Sequence, residues 1–316
     1  MAISDIPTSF GTATFMRNFL PGFLFLVIFS YTFSSYISII SNAFNSLDIV
    51  NKLLIWTILG FVFGLIISSL DFAIYKLLSG YNLFHPSIGY IYAKLNGREI
   101  AKYDELIKTL KSSRNEIEQN PQNEQACNLN IRCSTKLKMY PFNKDKKYYY
   151  PQTWTRLGNV IAEYENYSKV CYEMSFNVFW HRLWYLLSKE VQDDISERGA
   201  KADFFSYMAF LFLIYSPFAG IGWYPQVKNF MLSLSYLPSW SLFPLVWLIS
   251  FILSLLAFYI LYDMAVRAHE NYGGYIEALF DLHHPDILKL LRYPSHYENE
   301  ICREFSQNFE SYRHLR

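Results

Sequence analysis

The sequence predicts an all-α integral membrane protein with four transmembrane helices, arranged two plus two, a helical cytoplasmic insert between the pairs and a helical cytoplasmic tail. Three observations predict this class. There are four long apolar runs without internal charges, a polar segment separates the second run from the third, and aromatic residues make up 19% of the chain against 17% charged residues. About 20 apolar residues in a helix cross a bilayer, and a helix satisfies its own backbone in lipid.

The first apolar run predicts a transmembrane helix at about 18–40, at the start of a membrane region that covers residues 1–78. No charged residue lies between Arg17 and Asp48. An uncharged stretch of this length is long enough to cross the hydrocarbon core.

The second run predicts a transmembrane helix at about 53–76, because the residues between Lys52 and Asp71 are uncharged. Small residues recur along this run at intervals of four, which places them on one helix face. Such a face lets two helix backbones approach closely in lipid. We therefore expect helix packing at Gly60, Gly64 and Ser68.

The cytoplasmic insert is assigned to residues 79–203 from its positive charge. The stretch 77–203 contains 18 of the 28 Lys and Arg residues, and the chain from Asp263 onward contains six more. Positively charged segments flanking transmembrane helices stay on the cytoplasmic side. The sequence thus predicts a multi-pass protein of a bacterial inner membrane with both termini in the cytoplasm.

Within the insert, helical periodicity alternates with a polar segment. Apolar residues recur at helical spacing in 97–114, whereas 115–150 is rich in Asn, Gln and Lys and is predicted to be a flexible loop. After Pro151, two apolar stripes predict two helices packed on each other. The first stripe is Leu157, Val160, Ile161 and Tyr164, and the second is Phe176, Phe179, Trp180, Leu183, Trp184 and Leu187.

The last two apolar runs predict transmembrane helices at about 204–224 and 241–263, within a membrane region of residues 204–263. The remaining residues, 264–316, form the predicted helical tail. Asp71 and Asp263 each stand at the predicted inner edge of a transmembrane helix. They are candidates for the inner mouth of a pore, although such residues more often simply lie among the lipid headgroups.

Several polar side chains lie beside the two stripes of the insert or in the tail. We expect them to tie the cytoplasmic helices to each other or to the tail, and to support stability or assembly. These polar core candidates are Arg156, Asn159, Glu163, Arg182 and Asp281.

The sequence gives little support to catalysis. It contains none of the common nucleophile, phosphate-loop or zinc-protease motifs. Glu163 and Glu165 diverge by about 200° on a helix, so they cannot act together. We expect no catalytic residue, no metal site and no cofactor, and the formal net charge of +1 gives no reason to expect nucleic acid.

The segments "TRLGN", "AEYENY" and "FWHRLWYLL", together with "HENYGGYIEALFDLHHPDILKLL" in the tail, resemble a group of uncharacterised bacterial four-span membrane proteins. The resemblance covers 155–187 and 271–291 and includes the helix order between them. The chain departs from the group at His284, where Arg is usual, and at 172–175, where a Gly-containing turn is usual. The resemblance implies the topology and no particular activity.

Two function hypotheses follow. The first is an oligomeric, channel-like assembly of identical chains in the bilayer, regulated by its cytoplasmic helical body. The alternative is a membrane-anchored scaffold, sensor or defence or stress effector whose insert binds an unidentified cytoplasmic protein or small ligand. Ionisable residues inside membrane helices mark many coupled transporters, and none lies inside the four apolar runs themselves.

Overall fold

The computed structural model describes residues 11–33, 48–80, 89–143, 148–233 and 242–290. By its internal contacts the chain divides into two compact units. Unit 1 comprises Met1–Tyr75 with Glu197–Ala268, and unit 2 comprises Lys76–Ser196 with His269–Arg316.

Helices make up nearly all of the described chain. In order they are α1 (Thr12–Thr14), a π-helical turn (Phe15–Phe19), α2 (Leu20–Phe33), α3 (Ile49–Ser69), α4 (Asp71–Leu78), α5 (Gly89–Gln119), α6 (Glu124–Leu137), α7 (Arg156–Tyr172), α8 (Phe176–Leu186), α9 (Lys189–Ser233) and α10 (Leu242–Leu290). The described residues also contain a small antiparallel pair, β1 (Phe142–Asn143) and β2 (Tyr148–Tyr149).

Four helices in the described residues are long and apolar enough to cross a membrane. They cover Thr12–Ser30, Ile49–Ser69, Lys189–Ala219 and Pro244–Lys289. The predicted all-α class and the predicted number of apolar helices are therefore confirmed. The predicted first helix lies partly in residues 34–47, outside the described residues. The loops that join the two helices of each pair lie partly in residues 34–47 and 234–241, which are also outside them.

The second predicted helix is two helices in the structure. Asp48 caps the start of α3 by accepting a hydrogen bond from the backbone N–H of Asn51. At the other end Leu70 leaves the helical conformation, and α4 begins at Asp71. The charge at Asp71 thus opens the short helix α4 rather than ending a longer one, and it lies in the first turn, where a carboxylate is favoured.

Small residues bring α2 and α3 together in unit 1. A Cβ atom added to Gly64 would overlap the backbone carbonyl oxygen of Asn18, and one added to Gly22 would overlap the carbonyl oxygen of Gly60. Gly60 and Gly64 therefore pack inside the chain. The next buried position of α3 is Ile67, whereas Ser68 is only half-buried.

The predicted flexible loop at 115–150 is wrong for most of its length, because 124–137 forms α6. Asn123 caps this helix by accepting a hydrogen bond from the N–H of Ala126. A stripe of small apolar side chains on α6 packs against α5. The segment is polar in overall composition, so its hydropathy pattern does not indicate this helix. The shared core of the two helices is Tyr103, Leu110, Cys133, Leu137 and Tyr140.

The first apolar stripe of the insert lies where it was predicted. Leu157, Val160, Ile161 and Tyr164 are all buried on α7. Thr155 caps the start of this helix by accepting from the N–H of Gly158, and Glu173 ends it in the left-handed conformation with φ of 58°.

The second stripe is buried only in part. Phe179, Leu183 and Leu187 are buried, but Trp180 and Trp184 are half-buried. The two indoles lie next to each other on one side of α8, with centroids 5.8 Å apart and ring planes tilted by 52°. A large indole ring is rarely covered completely by one neighbouring helix.

The last apolar run and the start of the tail form one continuous helix, α10, of 49 residues. The helix passes through Gly273 and Gly274 and contains Pro285 without ending. Its residues up to Ala268 belong to unit 1, and those from His269 belong to unit 2. The residues of α10 are therefore divided between the two units.

Candidate functional site at the interface of α7 and α10

In unit 2, helices α7 and α10 run side by side in the same direction. The guanidinium of Arg156 donates to the Glu270 carboxylate at 3.0 Å, and the hydroxyl of Tyr167 donates to Asp281 at 2.7 Å. The partners in both pairs are 114 residues apart in the sequence. A constant separation over three helical turns means that the two helices are parallel and in register.

A glycine allows the two helices to approach closely. A Cβ atom on Gly273 would stand 2.5 Å from Cδ1 of the Tyr164 ring, whereas one on Gly274 would meet nothing within 4 Å. The ring of Tyr164 also stacks against that of His269, with centroids 6.4 Å apart and planes 2° apart. Tyr164 therefore fills the space that the missing side chain of Gly273 leaves.

The same register brings two carboxyl groups together. Glu163 and Glu277 are 114 positions apart, as the two flanking pairs are, so the register of the two helices places their side chains together. Burial of Glu163, then its hydrogen bond to Glu277 and the charge of Glu277, raise the pKa of Glu163 to about 9. Two neighbouring carboxyl groups form a hydrogen bond when they share one proton, and the raised pKa of Glu163 favours that protonated form at neutral pH.

One helical turn further on, Asp281 accepts two hydrogen bonds. Tyr167 donates at 2.7 Å and Tyr172 at 2.6 Å, both to the same carboxylate oxygen. The ring of Tyr172 stacks on the imidazole of His284 at a centroid distance of 4.2 Å. Burial and the Asp281 bond raise the pKa of Tyr172 to about 12, so this hydroxyl remains a donor across the physiological range.

Cys171 lies among these acidic groups on α7. Burial raises the pKa of its thiol, the hydrogen bond from Tyr167 lowers it, and the charges of Asp281, Glu277 and Glu163 raise it further. Only a thiolate is a strong nucleophile. The position of Cys171 thus opposes nucleophilic chemistry.

Asn159 lies at the start of α7 and holds the loop before it. Its side-chain oxygen accepts from the backbone N–H groups of Gln152 and Thr153 at 2.8 and 3.0 Å. Its amide nitrogen donates to the carbonyls of Thr153 and Thr155, each at 2.9 Å. Asn159 is therefore a buried structural residue that bonds to backbone rather than to a second helix.

Arg182 lies on α8, and its described hydrogen bond is to its own helix. Its guanidinium donates to the carbonyl of Val178 at 2.9 Å and stands 5.6 Å from the centroid of the Phe179 ring. The hydrogen bonds described at Asp281 come from Tyr167 and Tyr172. These two tyrosines connect α7 of the insert to Asp281 of the tail.

The two inner-mouth candidates are both bound within the chain. In unit 1, Tyr207 donates to the Asp71 carboxylate at 2.8 Å. Asp263 pairs with Arg267 at 2.7 Å on the same helix. Asp71 therefore joins α4 to α9, and Asp263 makes the i,i+4 pair that its spacing predicts.

A second polar cluster joins three helical segments of unit 1. The carboxylate of Asp203 accepts from the guanidinium of Arg17 and from the hydroxyl of Tyr75. The predicted transmembrane bounds excluded Arg17 and Asp203, but both lie inside long apolar helices of the structure. The Asp203 carboxylate is buried, whereas 48% of the Arg17 side chain is exposed. Separation of the helices would leave this buried carboxylate without the Arg17 charge, which favours the observed arrangement.

Sequence reasoning identified the α7 side of the interface and missed most of the α10 side. Small and polar residues recur on α10 at intervals of three or four, which is the signal of one helix face. This stripe consists of Glu270, Gly273, Glu277, Asp281 and His284. The hydropathy pattern does not reveal this stripe, because its members are polar residues and a glycine.

The chemistry of the interface is limited to hydrogen bonding and proton binding. Among the described residues, no group of three or more His, Cys, Asp or Glu side chains is placed to hold a metal ion. No family model matches the chain, and no curated protein or solved structure matches it. The resemblance to bacterial four-span proteins therefore stays a prediction.

Proposed function

We propose that this chain is a polytopic membrane protein in which unit 2 is a sensing module that acts on the apolar helices through α10. The distribution of positive charge supports a cytoplasmic position for unit 2, and the resemblance to bacterial four-span proteins supports a bacterial inner membrane. The apolar helices anchor the chain in lipid, and the α7–α10 interface changes state with a signal in the cytoplasm.

The continuity of α10 carries this proposal. The helix contains an apolar segment from Pro244 and, without interruption, the polar stripe that meets α7 between Glu270 and His284. A continuous helix transmits rotation or tilt along its axis, whereas a flexible joint between the segments would absorb it. Contacts at the polar stripe thus bear directly on the orientation of the apolar segment.

Membrane insertion is tested first. The full chain should remain with the membrane after extraction at alkaline pH. Single cysteines at exposed positions in unit 2, in a background without native cysteines, should be labelled by an impermeant maleimide only after the cells are opened. Labelling in intact cells would contradict the cytoplasmic placement.

Coupling is tested by disturbing unit 2 and measuring at the apolar helix. In the chain reconstituted in nanodiscs, Gly273→Leu should change hydrogen–deuterium exchange of amides in 245–262, because its side chain collides with the Tyr164 ring. Gly274→Leu is the matched control, since nothing lies within 4 Å of a Cβ at that position. Equal exchange in the two variants would show that unit 2 is a passive appendage.

A channel-like assembly of identical chains is the second candidate. It is favoured by the long rows of exposed large apolar side chains on α3 and α10, part of which a neighbouring subunit could cover. Examples are Leu53, Ile58, Val62, Leu65, Leu248, Ile252 and Leu256. Ion flux from liposomes containing the purified chain, together with its mass in nanodiscs, tests this candidate. A monomer without flux would exclude it.

A further inference from the structure

We propose that Glu163 and Glu277 form a proton-dependent latch, which keeps α7 and α10 together while the two carboxyl groups share a proton and loosens them when both are ionised. The inference names the signal for the sensing function proposed above and rests on it for any effect on the apolar helices. The latch itself lies within unit 2 and is measured there.

The register of α7 and α10 places the side chains of Glu163 and Glu277 next to each other. Arg156–Glu270 lies two turns before this pair and Tyr167–Asp281 one turn after it, each with the separation of 114 residues that also relates Glu163 to Glu277. Gly273 and Tyr164 hold the backbones close at this level. The two carboxyl groups therefore cannot move apart without loss of the contacts on either side of them.

The surroundings of the pair are acidic. Asp281 lies one turn beyond Glu277 on α10, and Tyr167 and Cys171 lie near the pair on α7. The cation of this interface, Arg156, lies about two turns away and is already paired with Glu270. Two ionised carboxylates in this setting would repel each other with no described cation between them, whereas one proton converts the repulsion into a hydrogen bond.

The direction of the pH dependence follows from the raised pKa. The closed interface binds a proton that the open one releases once the Glu163 carboxyl is hydrated and its pKa returns towards the ordinary value of 4.5. Closure is thus fully supported below that value and is lost as pH rises through about 9. Between these limits, the ratio of closed to open interfaces falls by up to about tenfold per pH unit.

The proton is measured by infrared difference spectroscopy on the full chain in nanodiscs. The C=O stretch of a protonated carboxyl should be present at neutral pH, disappear as pH rises to about 9 and beyond, and be missing in Glu163→Gln. Glu105→Gln, at an exposed position of α5, is the matched control and should retain the band. Glu277→Gln serves as the second variant if Glu163→Gln fails to fold.

The movement is measured by the distance between spin labels introduced by Lys169→Cys on α7 and Leu282→Cys on α10, both exposed positions. The distance should increase at alkaline pH and should stay short in Glu163→Gln, whose neutral amide donates to Glu277 at every pH. A carboxyl band that Glu163→Gln does not remove would overturn the shared proton. A band that titrates without a change in distance would overturn the latch.

A latch that responds while amides at 245–262 keep the same exchange would leave this inference intact and contradict the proposed function. If the latch does not respond to pH while Gly273→Leu alters the exchange of amides at 245–262, this inference is contradicted and the proposed function is supported. The two proposals therefore fail separately.

Discussion

Gly273 of α10 lies directly against the ring of Tyr164 of α7, so close that a Cβ atom would stand 2.5 Å from Cδ1. The contact sits between two polar pairs of equal sequence separation, and it sets how near the two helices come. The adjacent Gly274 has open space around it. Substitution of Gly273 therefore tests how a side chain affects helix packing, whereas the same substitution of Gly274 tests how it affects the helix alone.

Gly273→Ala should destabilise unit 2 by about 1–3 kcal/mol, because an extra methyl group in a close contact forces the Tyr164 ring to move. Gly274→Ala should be neutral or stabilising by up to about 1 kcal/mol, because alanine favours the helix over glycine. Hydrogen exchange of amides in 156–172 measures both. Equal protection in the two variants would mean that Tyr164 moves aside without cost.

Asn159→Ala should destabilise unit 2 by about 2–4 kcal/mol, because it removes four hydrogen bonds and leaves buried backbone groups of 152–155 without them. The matched control is Asn166→Ala on the same helix, where the amide makes an exposed bond of 3.5 Å to Gln152. Protease sensitivity of the loop before α7 measures the difference. Similar sensitivity in both variants would contradict the assigned role of Asn159.

Arg156→Ala should cost less than about 1 kcal/mol, because the pair with Glu270 is partly exposed to solvent, with 42% and 26% of the two side chains accessible. The comparison with Asn159→Ala under the same proteolysis conditions measures it. A loss as large as that of Asn159→Ala would mean that the ion pair fixes the register of the two helices.

Gly64→Ala should disrupt the packing of α2 on α3 in unit 1, because its methyl group would overlap the backbone carbonyl of Asn18, which cannot rotate away. Gly60→Ala is the milder comparison, since a Cβ there stands 3.0 Å from the Cβ of Phe23. Cross-linking of cysteine pairs placed on the two helices should fall strongly for Gly64→Ala and slightly for Gly60→Ala. An unchanged cross-linking yield for Gly64→Ala would show that α2 and α3 do not pack closely at Gly64.

Alkylation of Cys171 should still accelerate above pH 9, the ordinary value for a thiol, because its raised pKa keeps it protonated and only the thiolate reacts. Asp281→Asn should speed the reaction at pH 9, since it removes one of the negative charges that raise this pKa. Asp286→Asn, at an exposed ion pair with Lys289, is the control. Mass spectrometry of the modified peptide measures the rates.

Some features of this protein follow from local composition alone. The four apolar helices and the buried stripe of Leu157, Val160, Ile161 and Tyr164 were predicted because hydropathy and helical period are properties of neighbouring residues. Helix α6 was missed for the same reason. Its buried side is made of Ala126, Cys133 and Leu137, which give only a weak apolar signal.

The tertiary structure alone decided which polar groups meet. Glu163 was recognised as a polar core residue, but its partner Glu277 lies 114 positions away on a helix that also continues an apolar segment. The same holds for Asp281, which accepts hydrogen bonds from two tyrosines of α7. A side chain's period places it on a helix face, whereas its partner depends on which helix packs there and in what register. The sequence by itself determined the helices and their faces, and only their packing brought the two acidic residues Glu163 and Glu277 together.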